Sequence, residues 1–131
     1  MILVDTSVWI QLLNEKVKKP LAPKDLLRLV TCGPITQEVL QGIRQEEFAG
    51  RIREAFLAIP HLCNPTRLDT FLEAAEIYRY GRRNGYTIRS STDCLIAAIA
   101  IENSVPVWHT DRDFGFIAKY TRLEVLQLKL K

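Results

Sequence analysis

The sequence lacks the features that mark several large classes of protein. Its three cysteines, Cys32, Cys63 and Cys94, form no CxxC pair and are odd in number. Neither a disulfide framework nor a zinc-binding set is predicted, and a reducing cytoplasm is the natural setting. Cys94 falls inside an apolar helical run and reads as a small core residue. The two histidines, His61 and His109, have no HxxxH-type spacing, which removes the usual transition-metal sites, although His109 is placed near enough to the acids described below to touch a substrate. No basic segment followed by a long apolar one opens the chain, so no signal peptide is expected. No apolar run reaches membrane-spanning length: the longest, Cys94 to Ile101, stops at Glu102. Charge of one sign is not in excess either. Eighteen basic residues against 15 acidic ones give +3, which permits a polyanionic partner without requiring one. Internal repeats and low-complexity tracts are absent, so the 131 residues are read as one domain, 1–131.

What remains is a chain that is 47% hydrophobic and 25% charged, enough to build a core. Its order alternates short apolar runs with helical patterns. Residues 2–4 (ILV) read as a buried strand, followed by a helix from Thr6 to Leu13. Asn14 to Lys24, with four lysines and two prolines, reads as a loop, and Asp25 to Val30 as a short helix. A second strand is expected to end near Ile35, with a helix starting at Thr36 and a further helical stretch over 48–59. HLCN (61–64) reads as a third strand and Thr66 to Arg83 as a long helix closed by Gly85. Ser90 to Asn103 is apolar all round from Cys94 onwards, so it is expected to be central and buried. VPVW (105–108), a helix ending near Tyr120 and LEVLQL (123–128) complete the pattern. Trp9 and Trp108 adjoin apolar segments and are assigned to the core. Strands alternating with helices predict an α/β fold with a parallel sheet covered on both faces.

Against that frame the acidic residues fall in a pattern. Asp5 follows ILV, Glu38 follows PIT, Asp111 and Asp113 follow VWHT, and Asp93 lies in the first turn of the most apolar helix. Each alone is explained by helix capping or a favourable dipole contact, effects of about 0.5–2 kcal/mol. Together they are not. In a parallel α/β sheet the strand C-termini share one edge, where ligands bind, so acids after different strands converge. Two carboxylates about 4 Å apart repel by roughly 4 kcal/mol at an effective dielectric near 20. A group of them must take up protons or bind a cation. An all-oxygen set suits Mg²⁺ or Mn²⁺, which leave positions for water and phosphate oxygens. Phosphodiester hydrolysis by metal-activated water is the chemistry such a pocket serves.

The segments DTSVWI (5–10), QEVLQGI (37–43), TDCLIAAIA (92–100) and TDRDF (110–114) resemble, in order, the four acidic motifs of the PIN-domain family, and most closely its VapC-type toxins. The resemblance implies a three-layer α/β/α fold with a short central parallel sheet. It also implies Mg²⁺-dependent endoribonuclease activity, with Mn²⁺ as a substitute, a homodimer, and a cognate antitoxin that occludes the active site. Carried onto this chain, Asp5 and Asp93 match the most direct metal ligands, Glu38 and Asp111 complete the pocket directly or through water, and Asp113 matches an acid found in many relatives. Thr6, Ser7 and Thr110 are placed to hydrogen-bond a carboxylate or a metal-bound water. Arg82, Arg83 and Arg89, interleaved with Tyr78, Tyr80 and Tyr86, suit single-stranded RNA, which is bound by phosphate contacts and base stacking. The lysines at 16, 18, 19 and 24 read as a solvated loop.

Two other enzymes are disfavoured. A dehalogenase-like phosphatase needs a second acid two residues after the first, where this chain has Ser7, and a receiver domain needs an acidic pair that Met1 to Val4 does not offer. The competing reading from another class is a non-catalytic RNA-binding or partner-docking module of the same fold.

Overall fold

A computed structural model of the protein describes residues 1–14 and 23–126. The chain runs β1 (Ile2–Val4), α1 (Thr6–Leu12), α2 (Pro23–Leu26), β2 (Leu29–Cys32), α3 (Gly33–Gln41), α4 (Glu46–Leu57), β3 (His61–Leu62), α5 (Leu68–Arg83), α6 (Ser91–Asn103), β4 (Val107–Trp108), α7 (Arg112–Tyr120) and β5 (Val125–Leu126). The five strands form one parallel sheet in the order β3-β2-β1-β4-β5. Right-handed crossovers put the helices leading to β2 and β3 on one face and those leading to β4 and β5 on the other. The packing follows: α1 lies on α3 and α3 on α4, while α5 lies on α6 and α6 on α7. The result is the three-layer α/β/α fold.

The strands at the centre carry no polar alternation because both their faces are covered. Leu3, Val4, Val107 and Trp108 are buried, as are all four residues of β2. Helix α6 fits the same environment. Ile96, Ala97, Ala98, Ile99 and Ala100 are all buried, and its alanines let α5 approach closely. Trp9 and Trp108 both sit in the core, as the sequence predicts.

Residues 25–30 differ from expectation. The helix there is only the short α2, and Leu29 and Val30 open a strand whose register pairs Leu29 with Ile2 and Val30 with Leu3. Short apolar runs fit either element, and pairing beside β1 decides this one. Ile35 does not end a strand. It is a buried residue of α3, which begins at Gly33 with Pro34 in its first turn, where proline's fixed backbone is favourable. Lys16, Lys18 and Lys19 lie outside the described residues, as do the last two positions of the strand expected over 123–128.

Going outward from β1, the connections lead through β2 to β3 on one side, while β4 and β5 occupy the other. The β1/β4 junction is therefore the topological switch point, where the chain departs in opposite directions and leaves a crevice at the strand C-termini. Asp5 N–H donates to Trp108 O at 2.9 Å, so the ends of the two strands are level. No helix of the described residues is long and apolar enough to cross a membrane.

Candidate metal centre

Asp5 leaves β1 in an extended conformation and caps α1. Its Oδ2 accepts Ser7 N–H at 3.1 Å and the Ser7 hydroxyl at 2.6 Å. The same Ser7 oxygen accepts the Thr110 N–H at 3.1 Å, so one hydroxyl ties the end of β1 to the segment after β4. Thr6 donates to Glu38 Oε1 at 3.0 Å, joining the start of α1 to the second turn of α3. Gln11 adds a contact from its amide to Thr110 Oγ1 at 3.3 Å. Burial pushes the Asp5 carboxyl above its usual range despite the Ser7 hydrogen bonds, and burial likewise raises Glu38.

Asp93 is the third residue of α6, whose cap is Ser90. The Asp93 N–H donates to Ser90 Oγ at 3.4 Å. Only 7% of Asp93 is exposed, and its Oδ2 has no hydrogen-bond partner. Desolvation, then the charges of Asp5, Asp111, Asp113 and Glu38, push its pKa up to about 8. Four carboxylates thus act on a fifth, buried one.

Asp111 caps α7, its Oδ1 accepting Asp113 N–H at 3.0 Å. Asp113 is 1% exposed. Its Oδ2 accepts Arg89 N–H at 3.1 Å, while its Oδ1 has no hydrogen-bond partner. One oxygen each from Asp93, Asp111 and Asp113 lie within 4.8 Å of one another. Asp113, the last acid that the sequence enrols, is therefore in the tightest group. Asp5 and Glu38 act on Asp93 from the β1 and α3 side.

The donor set fits a hard divalent cation. Asp93 Oδ2 and Asp113 Oδ1 are buried without a hydrogen bond, a costly arrangement that an oxygen-preferring cation would relieve. Among the described residues the group that could hold an ion is Asp93, Asp111 and Asp113, with no cysteine or histidine in it. Burial pushes the Cys32 thiol up to about 12 and the Cys94 thiol up to about 11, which keeps both protonated in the metal-free protein. His109 does not reach a substrate: it is wholly buried, packed against Phe114 at 5.3 Å between ring centroids, and burial lowers its pKa and keeps it neutral.

The arginines divide into two groups. Arg89 lies at the acids, with Nη2 at 4.0 Å from Asp111 Oδ1 and Nε at 4.0 Å from Asp113 Oδ1. Arg82 and Arg83 end α5, their guanidinium carbons 5.7 Å and 5.8 Å from the ring centroids of Tyr78 and Tyr80. Sequence reasoning passes over Gln11, whose partner is 99 positions away, and nothing local in the sequence marks it.

Comparison with known proteins agrees with this frame. Residues 2–120 match the family model described as PIN domain. Ribonuclease VapC11 of Mycobacterium tuberculosis is 35% identical over 136 aligned residues, covering 98% of this chain and all of the relative. Among solved structures, VapBC-5 of M. tuberculosis, a member of the VapBC family of toxin–antitoxin systems, superposes with a TM-score of 0.69 at 20% identity, covering 96% of this chain and 97% of that one. VapBC2 of Rickettsia felis, solved with a promoter DNA fragment, gives a TM-score of 0.77 at 16% identity, covering 98% of this chain and all of the other. At such identities the structural likeness speaks to the fold.

Proposed function

Since the chain belongs to the PIN-domain family, we propose that it is a divalent-metal-dependent endoribonuclease acting as the toxin of a toxin–antitoxin pair. The observation that carries this reading is the Asp93–Asp111–Asp113 cluster at the switch point, with buried carboxylate oxygens lacking hydrogen bonds. Full-length similarity to a ribonuclease named VapC11 supports the substrate class.

In this reading Asp93, Asp111 and Asp113 hold Mg²⁺ or Mn²⁺, and Asp5 and Glu38 complete the negative lining. When bound, the cation supplies a water of lowered pKa and neutralises charge that builds on the phosphate. The chain's own residues do the positioning. Ser7 fixes the Asp5 carboxylate and the Thr110 backbone in one frame, and Thr6 fixes Glu38. The depth of Asp93 and Asp113 keeps bulk water from the reacting edge and strengthens every charge interaction there. Arg82 and Arg83 hold the RNA backbone away from the point of cleavage, with Tyr78 and Tyr80 beside them for base stacking. The reading also assigns an antitoxin that covers the acids, a homodimer and a cytoplasmic setting. The setting suits the free state of Cys32, Cys63 and Cys94.

The test is cleavage of labelled total RNA by protein stripped of any co-purifying partner, with Mg²⁺, with EDTA, and with Asp93→Asn. Cleavage that requires the metal and is lost in the variant is expected. Protein that binds RNA but cleaves none under any condition would favour the non-catalytic module instead.

A further inference from the structure

Arg89 is held in two unequal ways. Its backbone N–H donates to Asp113 Oδ2 at 3.1 Å, which fixes the root of the residue to the rim of the acid cluster. Its guanidinium approaches Asp111 Oδ1 and Asp113 Oδ1 at 4.0 Å each, beyond hydrogen-bond length, and the side chain is 59% exposed. Such a contact is electrostatic and weakly held. The head of Arg89 therefore offsets the charge of the cluster without satisfying it, and Asp113 Oδ1 and Asp93 Oδ2 keep no hydrogen-bond partner. Among the described residues it is the one cationic side chain that forms ion pairs with these acids.

We propose that Arg89 is a built-in counter-ion of the acid cluster, displaced from the Asp111–Asp113 edge by the divalent cation and turned onto the substrate phosphate. The proposal rests on the metal-site reading above. Its logic is that a divalent cation and the guanidinium at the same Asp111–Asp113 edge repel each other, and the exposed, loosely held guanidinium is the one that yields. Once turned away from the carboxylates, its planar fork suits a phosphodiester, which presents two free oxygens in matching geometry. Because the root stays pinned to Asp113, the head stays within a side chain's reach of the site. Metal loading and substrate binding are thereby ordered by one side chain. With no cation bound, the arginine partly neutralises the acids. With a cation bound, it becomes a phosphate ligand.

The signs of the two effects separate this from a structural role. In calorimetric titrations without RNA, Arg89→Ala should bind Mn²⁺ roughly fivefold more tightly than wild type, because a competing positive charge is gone. The Mn²⁺-loaded variant should bind inorganic phosphate roughly tenfold more weakly. Arg89→Lys, which keeps the charge, should return Mn²⁺ affinity to near the wild-type value. The backbone N–H to Asp113 survives in both variants, and thermal melting checks that they fold. A merely structural arginine would weaken both titrations together. Equal or weaker Mn²⁺ binding by a folded Arg89→Ala overturns the proposal, and so does unchanged phosphate affinity. Failure of the wild type itself to bind Mn²⁺ overturns the metal-site reading, and the proposal with it.

Discussion

The Ser7 hydroxyl donates to Asp5 Oδ2 at 2.6 Å and accepts from the Thr110 backbone at 3.1 Å, so a single oxygen joins the acid after β1 to the segment after β4. Ser7→Ala removes a hydrogen bond to a buried carboxylate. It should cost about 1–3 kcal/mol in denaturant unfolding. Loss of this support should also lower RNA cleavage by roughly tenfold or more, since the partners that orient metal-site carboxylates matter nearly as much as the carboxylates. Matched urea melts and cleavage rates check both.

The acids also set the pH dependence of the metal-free protein. The Asp93 carboxyl is pushed up to about 8 in the fold against an ordinary 3.8, and Asp5 and Glu38 are shifted the same way. Between those values the native state holds more protons than the unfolded one, so stability must fall as pH rises. Melting temperature without metal should therefore drop as pH rises from about 4 through about 8. Asp93→Asn should flatten that slope and melt higher than wild type at the alkaline end. Mn²⁺ should raise the wild-type melting temperature most at high pH, where the acids are charged, through binding linkage. Thermal melts over a pH series, with and without Mn²⁺, provide the measurement.

Two glycines should respond oppositely to alanine. A Cβ on Gly81 would stand 2.5 Å from the Tyr120 hydroxyl, which donates to Ile77 O at 2.8 Å and packs α7 against α5. Gly81→Ala should destabilise by about 1–3 kcal/mol through overpacking. Gly50 in α4 has nothing within 4 Å of the same position. Gly50→Ala should stabilise by about 0.5–1 kcal/mol, as expected for an open helical site. Chemical denaturation of the pair makes each a control for the other.

Replacing Arg82 and Arg83 by Ala should weaken RNA binding and reduce its salt dependence, with a slope lower by about 0.7 per lost phosphate contact. Mn²⁺ affinity should stay at the wild-type value, because both arginines lie at the end of α5 and neither is among the groups acting on Asp93. Filter binding across a salt series, beside a calorimetric Mn²⁺ titration, reads the two effects separately.

Much of this architecture is written locally. The long all-apolar run after Asp93 reads as a helix surrounded by protein, and ILV, bounded by Asp5, as a short strand covered on both faces; both form as read. The acids at strand ends could be gathered on paper because a parallel sheet puts those ends on one edge. What the sequence hides depends on partners distant in the chain. Leu29 and Val30 fit a helix face until β1 is placed beside them. His109 looks accessible until Phe114 and the sheet cover it. That Asp113 joins Asp93 and Asp111 in one group comes from the turn that starts α7, which periodicity does not specify.

The central claim is that the Asp93, Asp111 and Asp113 carboxylates hold the divalent cation. Anomalous scattering from a crystal of the protein grown with Mn²⁺ tests it most directly. The account predicts a manganese peak within bonding distance of oxygens from all three residues, with the Arg89 guanidinium turned away. Manganese bound elsewhere, or an undisturbed acid cluster with Arg89 still against Asp111 and Asp113 at saturating Mn²⁺, would contradict it.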